Sequence, residues 1–278
     1  MVRREWLRKS SRTSAHRSGF GRLRRELRIL ITFALDLEFA PWRRLHRFAR
    51  ITDSPYPAYE GRFGEAQVRA VLTGVGGARA KSVANAALEW RPDICIAGGL
   101  AGSLRVDYRV GQVLAARDIM ELESGRTVVA DVNLLNGAEV CEAVVVARLL
   151  TSATMVLSAE GKQRLGNMAA AVEMESFAVA AEAAAAGIPT IAIRAISDDA
   201  DEDLPMNFGD VLDESGAVNK AKMARAVASA PHKLPALMRL GRQSKAATVK
   251  LAEFLERYVT GLAAGSNNRA EMAEARRA

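Results

Sequence analysis

Apolar and polar positions alternate in blocks along the chain, with short apolar runs of strand length followed by stretches that have helical spacing. The apolar runs predict strands at 29–35, 67–73, 94–97, 113–119 and 190–196. The helical spacing predicts helices at 78–90, 160–165, 175–186, 220–230, 235–240 and 246–262. Three or four more strands are expected between residues 121 and 157. Strands and helices that alternate in this way are typical of an α/β layer architecture.

Two glycine-rich segments follow predicted strands, GVGG at 74–77 and GGLAG at 98–102. We interpret both as turns at which a ligand can approach the backbone, because glycine removes the side chain that would block it. The alternatives are a tight connection for the first and close helix–strand packing for the second. Neither segment has the spacing of a dinucleotide-binding or P-loop motif. Residues 61–64 are predicted to form a further turn.

Three acidic side chains stand next to apolar strands. Glu38 follows the first strand, Glu175 begins the alanine-rich helix, and Asp198 comes directly after the strand at 190–196. A buried carboxylate is costly unless it is paired or used, and ligands of open α/β sheets bind outside the carboxyl ends of strands. These acids are therefore candidates for chemistry. The alternatives are a helix N-cap for Asp198 and a favourable helix-dipole interaction for Glu173 or Glu175.

The net charge of +7 is concentrated at the start of the chain, where residues 1–28 hold ten Lys or Arg against two acids. The remaining chain is close to neutral, so we expect no specific nucleic-acid partner. We predict a basic, disordered arm at 1–28, a catalytic domain at 29–262 and a frayed tail at 263–278. Transit-peptide composition, an upstream start codon and loose binding to anionic surfaces are the alternatives for the arm.

Other classes of site lack support in the sequence. The three histidines are scattered, and neither cysteine has a partner at ligand spacing. We therefore expect no metal and no cofactor, and we expect Cys95 and Cys141 to be reduced core residues. The apolar run at 29–35 is too short to span a membrane. The acidic run 199–203 is expected to be mostly solvated loop.

Five segments occur in an order that resembles the nucleoside phosphorylase family, most closely its methylthioadenosine/S-adenosylhomocysteine nucleosidases. They are ALDLEFAP (34–41), LTGVGGARA (72–80), ICIAGGLAGSL (94–104), AVEMES (171–176) and RAISDDAD (194–201). A hopanoid-associated phosphorylase subgroup shares a compact middle region and AVEMES-like motifs. The resemblance implies a three-layer α/β/α fold with a central mixed sheet, a cytoplasmic location, and a homodimer or higher homo-oligomer.

The resemblance also implies roles for individual residues. Asp198 would protonate N7 of a purine, and an aspartate here goes with 6-aminopurines. Glu175 would bind the ribose 2′- and 3′-hydroxyls, and Glu38 would activate the attacking water. The implied roles of the other residues are support or contact with the substrate: Ser197 orienting Asp198, Met174 against the sugar, Glu173 as a nearby acid, Gly99 in the second glycine segment, and Met155 and Val156 at the base.

The expected activity is hydrolysis of the N-glycosidic bond of a purine nucleoside, with adenine as the expected base. Such cleavage passes through an oxocarbenium-like state and uses an acid and an activated nucleophile, as in glycosidases. Leu100 replaces the small polar residue often found in this segment of the family, and no arginine stands beside Gly98–Gly102, where phosphorolytic relatives commonly carry a phosphate ligand. For Arg79, we expect a surface position on the helix, and reaching the site from the first turn is the alternative. The alternatives are phosphorolysis, including that of a hopanoid-associated adenosyl substrate, and a non-catalytic binder that uses the basic arm.

Overall fold

The computed structural model describes residues 26–211 and 219–275. For Phe208 and residues 266–275 it describes the backbone only. A ten-stranded mixed sheet lies between helices, which confirms the predicted three-layer α/β/α fold. The strands are β1 (Arg28–Phe33), β2 (Ala49–Ile51), β3 (Ala58–Phe63), β4 (Ala66–Leu72), β5 (Ile94–Ser103), β6 (Val113–Glu121), β7 (Thr127–Val129), β8 (Val144–Thr151), β9 (Ala171–Glu173) and β10 (Thr190–Asp198). The helices are α1 (Asp36–Leu45), α2 (Gly77–Leu88), α3 (Val132–Val140), α4 (Ala159–Leu165), α5 (Ser176–Ala185), α6 (Lys220–Ser229) and α7 (Leu234–Ala275), with 3-10 turns at Phe208–Val211 and Pro231–Lys233.

The sheet is apolar on both faces, and successive residues of its central strands enter two different cores. In β10, Ile191 and Ile193 pack into the core under α1, α3 and α7, whereas Ala192 packs into the core under α2 and α5. This is the expected consequence of side chains that alternate along a strand. A strand buried on both faces leaves no room for a charged side chain unless that side chain is paired.

The strand order brings three chain segments to one edge of the sheet. β1 pairs in parallel with β5, and β5 pairs in parallel with β10, so all three strands end on the same side. β5 also pairs with β9, and β9, β8, β6 and β10 complete a closed circuit of pairings. The parallel arrangement places the start of α1 near the carboxyl ends of β5 and β10.

Four predictions of local structure are wrong. The segment 98–102 is not a turn, because its residues pair with Ile193–Asp198 and belong to β5. The turn predicted at 61–64 lies at 64–65 instead, because Gly61 is inside β3, where an added Cβ would approach the Phe48 ring to 2.9 Å. The region 121–157 holds a helix, α3, and only two further strands, β7 and β8. The two helices predicted within 235–262 are a single helix, α7.

The first strand begins one residue earlier than predicted. Arg28 begins β1, and its backbone N–H donates to Asp93 Oδ2 at 2.9 Å. Most of the predicted arm, residues 1–25, lies outside the described residues. Cys95 and Cys141 are free thiols, the first buried and the second half-buried. Among the helices of the described ranges, none combines the length and apolar character that a membrane span requires.

Candidate active site

Glu38 lies in the first turn of α1 and points back toward β5. Its Oε2 accepts a hydrogen bond from Leu35 N at 3.0 Å, and its Oε1 accepts one from Leu100 N at 2.8 Å. The side chain is 6% exposed. Burial raises the pKa of this carboxyl above its ordinary value, while the charge of Arg194 opposes the rise. Glu38 is therefore a fixed, buried acid that two backbone amides orient.

Glu175 is the N-cap residue of α5 and reaches the first glycine segment. Its Oε1 accepts a hydrogen bond from Gly76 N at 2.7 Å, at the start of α2. Burial, followed by the charge of Glu173, raises the pKa of Glu175 to about 8, with Arg194 and the Gly76 amide opposing. The first glycine segment is thus a connection whose backbone amide holds an acid of the site.

Arg194 is a buried cation close to these two acids, and it was not among the predicted site residues. Its guanidinium is 2% exposed and pairs with Glu173 Oε2 at 2.6 Å. It also donates from Nη2 to Ser176 Oγ at 2.8 Å, and its charge acts on both Glu38 and Glu175. A charged residue inside the apolar strand TIAIRAIS was the signal, since a buried charge needs a partner.

Glu173 lies at the end of β9. The prediction had placed it at the start of the helix, which in the structure begins at Ser176. Glu173 Oε2 accepts from the backbone N–H groups of Glu175 at 2.9 Å and Ser176 at 2.8 Å, in addition to the Arg194 ion pair. Its Oε1 bonds to the Thr151 hydroxyl. The protein itself engages both oxygens, so Glu173 fixes the start of α5 and the position of Arg194.

Asp198 is the last residue of β10 and not a helix N-cap. Its Oδ1 accepts a hydrogen bond from Ser197 Oγ at 2.7 Å, and its Oδ2 pairs with Lys162 Nζ at 2.5 Å. Asp198 is 4% exposed, and Lys162 is 1% exposed. Lys162 was not predicted, because a lysine in the short polar helix AEGKQRL is typical of a solvated surface.

Glycine allows these side chains to lie against β5. An added Cβ at Gly99, which has φ +152°, would collide with Arg194 Nη1 and lie 2.8 Å from Glu38 Oε1. An added Cβ at Gly102 would lie 2.9 Å from Asp198 Oδ2. The two glycines are three positions apart on β5, so the Arg194 cluster and Asp198 lie against the same strand, which pairs with β10 there.

We had expected the acidic run after β10 to be mostly solvated, but several of its carboxyl groups accept hydrogen bonds from the protein. Asp199 Oδ1 accepts from Val110 N at 3.1 Å, and Asp203 Oδ1 accepts from Ala159 N at 2.7 Å. Glu202 Oε2 accepts from Gln243 Nε2 at 3.1 Å. These contacts hold the segment against α4 and α7, so the run has a structural role beside Asp198.

The residues predicted to contact the sugar and the base are Met174, Met155 and Val156. Met174 is half-buried between Glu173 and Glu175. Met155 and Val156 are half-buried in the segment between β8 and α4, and Val156 packs against the small core that contains Leu104. Their contact with a substrate stays a prediction.

A cavity of about 490 Å³ is lined by residues between positions 205 and 237. Its lining includes Met206, Arg225 and Leu237, from the segment after β10 and from α6 and α7. The three acids are not among its lining residues, so the cavity is separate from the candidate site.

Comparison with known proteins identifies the family of this chain. A family model described as the phosphorylase superfamily matches residues 28–165 and 136–229. The chain belongs to the phosphorylase superfamily. A curated relative, 5′-methylthioadenosine/S-adenosylhomocysteine nucleosidase from Exiguobacterium sp., is 27% identical over 200 residues, covering 62% of this chain and 84% of the relative. The family resemblance seen in the sequence is confirmed.

Solved structures share the fold of this superfamily member. The S-adenosylhomocysteine nucleosidase of Streptococcus pyogenes, in complex with 5-methylthiotubericidin, has a TM-score of 0.67 at 18% identity, over 85% of this chain and 98% of that one. Futalosine hydrolase of Helicobacter pylori has a TM-score of 0.65 at 20% identity, over 84% of this chain and 98% of that one. At these identities the likeness concerns the fold.

Proposed function

We propose that this superfamily member hydrolyses the N-glycosidic bond of a purine nucleoside, of the 5′-methylthioadenosine/S-adenosylhomocysteine type. The observation that carries the proposal is the placement of three buried acids at one sheet edge: Glu38 and Glu175 around Arg194, and Asp198 four residues further along β10. The curated relative is a nucleosidase for these two substrates, which supports the same substrate class here.

The roles follow from the surroundings of each acid. Glu175 has one oxygen on Gly76 N, and its other oxygen is available to hydrogen-bond a ribose hydroxyl. Glu38 is buried and oriented by two backbone amides, which suits a base that takes a proton from the attacking water. Asp198, oriented by Ser197, lies at the carboxyl end of β10, where it would assist departure of the base.

Hydrolysis is favoured over phosphorolysis by the charge around Arg194. Three carboxyl groups, Glu38, Glu173 and Glu175, act on this one guanidinium, and Glu173 and Ser176 already occupy it. A phosphate dianion placed here would have to displace the Glu173 carboxylate from the guanidinium and would be repelled by it, whereas a water molecule would not. Because Glu173 already pairs with Arg194, this guanidinium is poorly suited to bind an anionic acceptor.

The test is release of free base from a panel of nucleosides, with and without inorganic phosphate. The panel contains 5′-methylthioadenosine, S-adenosylhomocysteine, adenosine, inosine and futalosine. We expect phosphate-independent release and a preference for the 6-amino base and for the thio-substituted C5′ group. Strict dependence on phosphate would refute hydrolysis and favour phosphorolysis, including that of a hopanoid-associated adenosyl substrate. No release from any nucleoside would refute the proposal as a whole.

A further inference from the structure

Lys162 is a buried cation whose hydrogen-bonding capacity is fully used. Its Nζ lies 2.5 Å from Asp198 Oδ2, 2.8 Å from Asp199 O and 2.9 Å from Glu202 O. A lysine ammonium has three N–H donors and no acceptor, and three acceptors surround this one. The geometry is that of an ammonium ion, and the Asp198 carboxylate is its charged partner.

Such a pair is not explained by stability. Two buried charges cost desolvation energy that their attraction only partly returns, and apolar side chains of similar size often serve as well. Yet the protein builds a structure around this cation. Asp203 accepts a hydrogen bond from Ala159 N in the first turn of α4, and two backbone carbonyls of the segment 199–202 close over the ammonium.

The pair also meets a chemical need of the proposed function, on which this inference rests. The departing purine must receive a proton at N7, but a carboxylate has none to give. Ser197 occupies Asp198 Oδ1, and Lys162 occupies Oδ2. Among the described contacts of Asp198, Lys162 is the group that carries a charge and an acidic hydrogen.

We propose that Lys162 is a positioning residue that acts through Asp198 and supplies the proton for the leaving base. An N–H bond of the ammonium breaks as the proton passes to the Asp198 carboxylate. The Asp198 carboxyl group passes a proton to N7 while the C1′–N9 bond breaks and its electron pair leaves with the base. The water that attacks C1′ loses a proton to Glu38. Lys162 remains as a neutral amine until it regains a proton from solvent and Glu38 releases one.

The experiment compares two leaving groups in the full-length protein. Lys162→Met removes the charge at similar length, and Lys162→Arg keeps the ion pair but offers a guanidinium that does not deprotonate in proteins. We expect both variants to lose about 10²-fold or more in kcat for release of adenine, as for loss of a general acid. For 4-nitrophenyl riboside, whose phenolate departs without a proton, kcat should change by less than about threefold.

Two comparisons separate this role from a structural one. Arg164→Met, at an exposed position of the same helix, should leave both activities unchanged. On the nucleoside, Lys162→Met combined with Asp198→Asn should cost no more than the larger single loss, because Lys162 acts only through Asp198. The double variant also removes the unpaired buried carboxylate that would hinder folding of Lys162→Met.

Each outcome bears on a different claim. Equal losses on both leaving groups, additive losses in the double variant, or a wild-type kcat in Lys162→Arg would overturn the role of Lys162 while leaving hydrolysis intact. A wild-type protein that releases no base from any nucleoside would overturn the proposed function, and with it this inference.

Discussion

Glu175 allows a direct test of the charge state of the site through its effect on stability. Burial and the neighbouring Glu173 raise the pKa of Glu175 from 4.5 to about 8. A carboxyl whose pKa is raised by folding stabilises the folded state below its ordinary pKa, and this contribution is lost as the pH rises toward the folded value. The loss amounts to about 1.4 kcal/mol per pH unit, or about 4 kcal/mol between pH 5 and pH 8.

Glu175→Gln removes this titration but keeps the shape of the neutral carboxyl and its acceptor for Gly76 N. We expect the variant and the wild type to be similarly stable near pH 5, and the variant to be more stable by up to about 4 kcal/mol at pH 8. The measurement is the free energy of unfolding in urea at pH 5, 6, 7 and 8.

A matched control is Glu160→Gln, which changes an acid whose side chain is 77% exposed on α4. Its stability difference from the wild type should be the same at every pH. If the difference for Glu175→Gln were equally constant, Glu175 would titrate as an ordinary surface acid, and the interpretation of the cluster around Arg194 would be refuted.

The other predictions concern the remaining acids and the close approach to β5. Asp198→Asn should lower kcat for base release by about 10²–10⁴, measured by chromatography of free base; a kcat near wild type would contradict its role. Glu38→Gln should lower kcat to a similar extent with KM changed only a few-fold, since Glu38 acts on water; a change confined to KM would contradict this. Gly99→Ala should destabilise the protein by about 1–3 kcal/mol through overpacking, whereas Gly261→Ala, with open space around it, should not, as checked by urea unfolding.

The sequence was sufficient to predict which acids lie at the ends of buried strands. Asp198 ends β10, which holds five apolar residues, and Glu38 comes shortly after β1, so the rule that sites lie at the carboxyl ends of strands made both acids candidates. The positions of the strand ends follow from the apolar pattern, whereas the parallel pairing of β1, β5 and β10 is seen only in the structure. The family assignment rests on the same short segments.

The glycines of β5 could not be assigned from local pattern. A run such as GGLAG has low strand propensity and is typical of a turn. Here, pairing with β10 over residues Ile193–Asp198 overrides that propensity. The reason for glycine is the bulk of Arg194 and Glu38 on one side of the strand and of Asp198 further along, and such contacts are not visible in a single sequence.

The two buried cations divide the site into halves with different charge balance. Around Arg194, three carboxyl groups share one guanidinium, and two of them, Glu38 and Glu175, have raised pKa values. Around Asp198, one carboxylate has a lysine to itself. Neighbouring acids whose surroundings differ in this way are suited to different tasks in one reaction. The carboxyl groups around Arg194, which outnumber its single charge, would stabilise the positive charge that develops on the ribose. The Lys162–Asp198 pair would compensate the negative charge that develops on the base. If the proposed function holds, moving one carboxyl group from the Arg194 side to the Asp198 side should therefore lower kcat for base release more than removing it, because it would raise the energy of both developing charges at once.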